Sequence, residues 1–112
     1  MNVSLNGFNE TMLTFSCNEE IKQGAPVKMG ENKTVTACAQ GDKPVGFVVA
    51  ARMGVAGVMM SGYFTKSYTG EMALGHQNIV ANNDGGVEIN ENGIPVIVTD
   101  FDDVSGIVGF IM

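Results

Sequence analysis

The chain has 112 residues, 45% of them hydrophobic and 16% charged, a balance that suits one globular domain and excludes a disordered chain. Its formal charge is −6, and Lys22, Lys28, Lys33, Lys43, Arg52 and Lys66 are scattered, which argues against nucleic acids and anionic membranes as partners. Fifteen Gly, many Val and Thr, and no Trp point to short strands joined by tight turns.

Met1–Glu10 is Asn-rich and lightly apolar, a composition suited to an arm that orders on a partner. It has neither the basic segment nor the apolar run of a signal peptide. Cytosolic synthesis is therefore expected, with Cys17 and Cys38 as free thiols. Thr11–Cys17 alternates, Leu13, Phe15 and Cys17 on one face and Thr14 and Ser16 on the other, which predicts a half-buried strand. Glu19–Gln23 has room for one helical turn before Gly24, and no longer helical period occurs. Pro26–Met29 and Lys33–Cys38 flank Gly30-Glu31-Asn32 as a hairpin, because Gly and Asn supply the positive φ of a short loop.

Gln40–Pro44 is a turn. Val45–Arg52 is apolar on both faces, which predicts a central strand, and it is far below the ~20 residues of a membrane helix. Met53-Gly54 turns into a long strand, Val55–Tyr68, where Gly57 and Gly62 are placed to bulge or bend it. Asn78–Ala81 and Gly86–Ile89 flank Asn82-Asn83-Asp84-Gly85 as a second hairpin. Asn90–Gly93 turns into Ile94–Asp100, and Phe101-Asp102-Asp103 leads to Val104–Met112. That last apolar segment is expected to pair inside the sheet. Residues 11–112 thus form a single all-β domain of eight to ten short strands in antiparallel hairpins, a small β-barrel or β-sandwich.

An internal echo runs through this map. Val27 and Val35 recur as Ile79 and Val87 at equal spacing (79 − 27 and 87 − 35 are both 52). Val45-Gly46-Phe47 is matched by Val108-Gly109-Phe110, with extra residues in the second copy.

Reactive chemistry is sparse. The one histidine, His76, lies in the polar turn Gly75–Asn78, with no sign of a nucleophile to serve. Cys17 belongs to the core face of its strand, Cys38 to a more exposed position, and neither has a cationic neighbour in sequence to activate it. One His and two distant Cys do not make a zinc set. Asp100, Asp102 and Asp103, or Asn82, Asn83 and Asp84, could offer oxygen to Ca²⁺. Neither run has the spacing of a calcium loop, and both read as solvated turns. The Gly-rich stretches Gly54–Gly57 and Gly85-Gly86 lack the Lys-Ser/Thr and helix of a phosphate loop. No catalytic residue, metal or cofactor is predicted.

One apolar feature points outward. On Val55–Tyr68, Val58, Met60 and Phe64 share one face, and Met59 and Tyr63 the other. Either both faces are buried within the monomer, or the Met59–Tyr63 face meets a partner. Met59 and Tyr63, with Leu5 and Phe8 of the arm, are the candidate partner contacts.

Ile21-Lys22-Gln23-Gly24-Ala25-Pro26-Val27, a hairpin, and Gly41-Asp42-Lys43-Pro44-Val45-Gly46-Phe47 resemble the opening half of small phage and prophage proteins encoded beside the major capsid protein, the capsid-associated or head-decoration proteins. The long strand Val55–Tyr68, a second hairpin and the closing strand Ile107–Met112 continue the likeness. It covers the chain after about Glu10, and its motifs are turns and β-branched runs. The resemblance implies a non-enzymatic β-barrel in the virion, made in the bacterial cytoplasm. Its implied partners are the major capsid protein and copies of itself, a trimer favoured for a local three-fold site. The alternative is a β-rich binding module that recognises a host glycan or peptide through aromatics beside Asn and Asp.

Overall fold

The computed structural model describes residues 10–112, so the expected arm, including Leu5 and Phe8, lies outside the described residues except for Glu10. Those residues form ten strands and no helix. They are β1 (Thr11–Cys17), β2 (Pro26–Glu31), β3 (Thr34–Ala37), β4 (Gly46–Arg52), β5 (Val55–Ser61), β6 (Tyr63–Ser67), β7 (Gly75–Ala81), β8 (Val87–Ile89), β9 (Ile94–Asp102) and β10 (Ile107–Ile111). Glu19–Gln23 makes no helical turn. Ile21 is drawn into the core, and the Ala25 N–H closes a turn on the Lys22 carbonyl instead.

The first five strands close into a barrel in the order β1-β3-β2-β4-β5, and the last five form a sheet ordered β6-β10-β9-β7-β8. Only β1–β3 and the isolated Tyr68–Val87 bridge are parallel. That bridge links the two edges of the second sheet, so it curls as the first does.

The two sheets are one unit used twice. Strand by strand, β1 to β5 correspond to β6 to β10, and every pairing in the first unit has its counterpart in the second. Val27 pairs with Ala37, and 52 residues later Ile79 pairs with Ile89. The buried set Val27, Val35, Ala56 and Val58 of the first core recurs at that spacing as Ile79, Val87, Val108 and Phe110 of the second. Backbone detail repeats too. The Cys38 N–H donates to the Pro26 carbonyl and the Asn90 N–H to the Asn78 carbonyl. Lys33 and Gly85, and Gly54 and Gly106, take positive φ at corresponding turns. The hairpin half of the sequence echo is therefore structural. The Val-Gly-Phe half is not: Val108-Gly109-Phe110 lies on β10 and corresponds to Ala56-Gly57-Val58 on β5, not to Val45–Phe47 at the head of β4. A shared tripeptide misled where a shared burial pattern identifies the repeat.

Two expected strands also change. The long strand Val55–Tyr68 breaks at Gly62, whose φ of 128° favours glycine, and its halves enter different sheets. The Gly62 N–H donates to the Met112 carbonyl, and the Met112 N–H to the Gly62 carbonyl. Val45–Arg52 is buried only at Gly46–Val48; Val49–Arg52 is exposed. The cause is pairing length, since β2 covers β4 only at Gly46 and Phe47, and beyond Val48 the strand pairs with β5 alone.

The units meet through Phe47. Its ring leaves the first barrel and packs 5.0 Å from Phe64 and 6.0 Å from Phe110, centroid to centroid. Met59 packs against the same core. Lys66 crosses the other way, with Nζ donating to the Gly24 carbonyl at 3.0 Å and lying 4.7 Å above the Phe47 ring. Gly41 and Asp42 clamp Ala81 with two further backbone bonds of 2.9 Å.

Candidate contact surface

The apolar residues left on the outside follow from the repeat. On the outward face of the first unit, cross-strand pairing lines up Phe47, Met59 and Met12. On the second it lines up His76, Ile97, Ile111 and Tyr63. The two rows correspond, because Phe47 pairs with Met59 as Ile97 pairs with Ile111. In the first row Phe47 and Met59 are covered, packed against the second unit, while Met12 is exposed. In the second row Ile97 is 42% exposed.

Of the predicted contacts, Met59 and Tyr63 therefore sit in corresponding rows but different surroundings. Met59 is partly buried at the seam between the units. Tyr63 is partly exposed, and its hydroxyl donates to Asp100 Oδ1 at 3.1 Å while its ring end lies over Gly109. Leu5 and Phe8 lie outside the described residues.

The hairpin tips carry exposed apolar side chains that were not among the predicted contacts. Met53, between β4 and β5, is 95% exposed, and Val104, between β9 and β10, is 93% exposed. Met53 and Gly54 both have positive φ, which forms a tight turn and projects the Met side chain into solvent. Asp102 Oδ1 accepts from the Val104 and Ser105 N–H groups and so fixes the other tip. The tips stand at the two ends of the run from β5 through Gly62 to β6: β5 starts at the first tip, and β6 ends where the Tyr68 N–H donates to the Gly106 carbonyl. The signal in sequence was a large apolar residue inside a turn, where polar residues are usual.

Among the described residues no group of three His, Cys, Asp or Glu side chains is placed to hold a metal. His76 lies on β7 rather than in a turn, and is exposed. It lines a shallow hollow of about 400 Å³ with Gln77, Asn78, Ile89, Asn90, Glu91, Pro95 and Val96. Cys17 is buried in the first core, as its parity implied; Cys38 is half-buried, and both are free. Burial, and secondarily the carboxylate of Asp42, pushes the Cys38 thiol up to about 11. Asp42 is held below its usual range mainly by Lys28, 2.6 Å away, and further by the Ala39 N–H.

The second Asn/Asp run is not a solvated turn throughout. Asn82 is buried and fully used: Oδ1 accepts from the Asp84 and Gly86 N–H groups, and Nδ2 donates to Thr69 Oγ1 and the Val87 carbonyl. It ties the β7–β8 turn to the strand edge across the bridge and presents no ligand outward.

No protein-family model matches the chain, and no curated protein matches it.

Proposed function

We propose that this chain is a non-enzymatic virion structural protein of a tailed phage or prophage, which stabilises the head by binding the capsid lattice as an oligomer. The observation that carries the reading is the pair of apolar hairpin tips, one in each repeat. A Met or Val side chain held in water contributes nothing to the fold; seated in a partner, each stabilises the complex by about 1.5–3 kcal/mol. Two such contacts on one small domain suit a protein that bridges neighbouring capsid subunits. Copies joined as a trimer at a local three-fold site would then detach rarely, through avidity. The charge of −6 favours solubility at high copy number and keeps coated particles apart. Synthesis is in the host cytoplasm, and the working location is the particle. Electron microscopy and protein composition of particles made with and without the gene test this; absence of the chain from purified heads overturns it.

A second reading is a module that recognises a host glycan or peptide, favoured by the hollow beside His76, where Gln77, Asn78 and Asn90 place amides next to Ile89 and Pro95. It predicts binding on a glycan or peptide array that is lost in Asn90→Ala.

A further inference from the structure

The seam between the repeats has two halves, and each unit possesses both. One half is a plug, the outward apolar pair Phe47 and Met59. The other is a mouth, the end of the second core at Phe64 and Phe110. Phe64, where the plug seats, is 3% exposed.

Each half has an unused counterpart. Ile97 and Ile111 repeat the plug on the second unit, with Ile97 42% exposed. In the first unit Leu13 pairs with Val58 as Phe64 pairs with Phe110, so Leu13 stands at the corresponding mouth. It is 50% exposed, and its neighbour Met12 is 51% exposed. Leu13 lies on the inward side of its barrel beside Val58, yet is half exposed, where its counterpart Phe64 is covered by Phe47. The counterparts of a plug and a mouth that fit together inside the chain are thus both exposed.

We propose that a second copy of this chain docks head to tail, its Ile97–Ile111 pair seating on the Leu13 end of the first barrel as Phe47 and Met59 seat on Phe64. The contact continues an interface the molecule already contains. It is heterologous, so it closes into a ring or runs on as a filament, according to the rotation between copies. It deepens the assembly reading by naming the surface through which copies associate, and rests on that reading for its biological purpose only. Pure protein reports on it without any particle.

Sedimentation of the pure chain tests it. The mass is expected to rise above one chain as concentration increases. Leu13→Glu spoils the mouth and Ile97→Glu the plug. Each places a charge where the contact excludes water, and each is expected to lower association about tenfold or more. Both positions are exposed in the single chain, so melting temperature should hold; Leu13→Thr and Ile97→Thr give the same direction with less risk to the fold. The mixture decides the geometry. Each variant alone stays monomeric, yet L13E mixed with I97E forms a dimer and nothing larger, because one intact mouth meets one intact plug. A wild-type monomer at every concentration, a single variant that assembles like the wild type, or folded variants that fail to pair on mixing each overturn the proposal. A chain that self-associates but is missing from heads would overturn the capsid reading alone.

Discussion

Asn82 shows how much one side chain can hold when its whole hydrogen-bonding capacity is used in a buried place. Truncation to Ala leaves the buried Gly86 N–H without its partner, while the Val87 carbonyl keeps the Thr69 N–H. A buried unsatisfied group costs about 1–3 kcal/mol, so Asn82→Ala should lower stability by about that much in a urea titration. A cost below about 0.5 kcal/mol would mean water satisfies the turn as well as the amide does. Cys38 gives a second residue-scale expectation. Its thiol stays protonated in the folded chain to about 11, against an ordinary value of 9.0, chiefly because burial disfavours the thiolate. The unfolded chain therefore releases the Cys38 proton first, and stability should fall as pH rises from 9 through 11. Below 9 this group leaves stability unchanged. Alkylation of the folded protein by iodoacetamide at pH 8 should be much slower at Cys38 than for a free thiol. A Cys38→Ser variant with the same alkaline decline would assign the decline to other groups.

At the scale of elements, strands were legible wherever one face is wet. Thr11–Cys17 alternates, and β1 has those bounds. The hairpin around Asn82–Gly85 was legible from turn chemistry; the one at Gly30–Asn32 was legible as a turn, but Gly30 and Glu31 end β2 and Lys33, not Gly30 or Asn32, takes the positive φ. What alternation does not encode is which sheet a strand joins. Val55–Ser61 and Tyr63–Ser67 read as one run because Val58, Met60 and Phe64 keep the same parity across Gly62, yet the chain changes sheet there. For the same reason alternation left Met59 open between the core and a partner contact, and the surface it faces is the other repeat. Phe47 was legible as apolar but not as the seam, since nothing local says that its ring leaves its own barrel. The seam has a measurable weight. Phe47 is almost wholly buried between Phe64 and Phe110, so Phe47→Ala should cost about 3–5 kcal/mol, the usual range for a core aromatic. Because the Phe47 ring belongs to the second core, wild type should unfold in one transition. Two separated transitions in calorimetry would show the repeats to be independent domains.

The described residues form two small sheets sharing one seam, 40 Å along the longest axis, with an exposed apolar side chain at each of two hairpin tips. Neither tip belongs to a core, so neither is needed for folding. Met53→Glu and Val104→Glu should change stability by no more than about 0.5 kcal/mol, as surface substitutions do. On the proposed capsid role, attachment to the lattice should respond differently. Each substitution removes about 1.5–3 kcal/mol of apolar contact and sets a carboxylate in its place, so each should weaken attachment to heads by at least about tenfold per copy. In a trimer the loss is multiplied, because the three copies hold on together. Purified variants added back to heads that lack the protein measure this by the bound fraction, with melting curves as the control for folding. If the tips bridge two capsid subunits, the double variant loses more than either single one. Unchanged attachment of the double variant would show that the exposed tips are incidental, and that any lattice contact lies on another face.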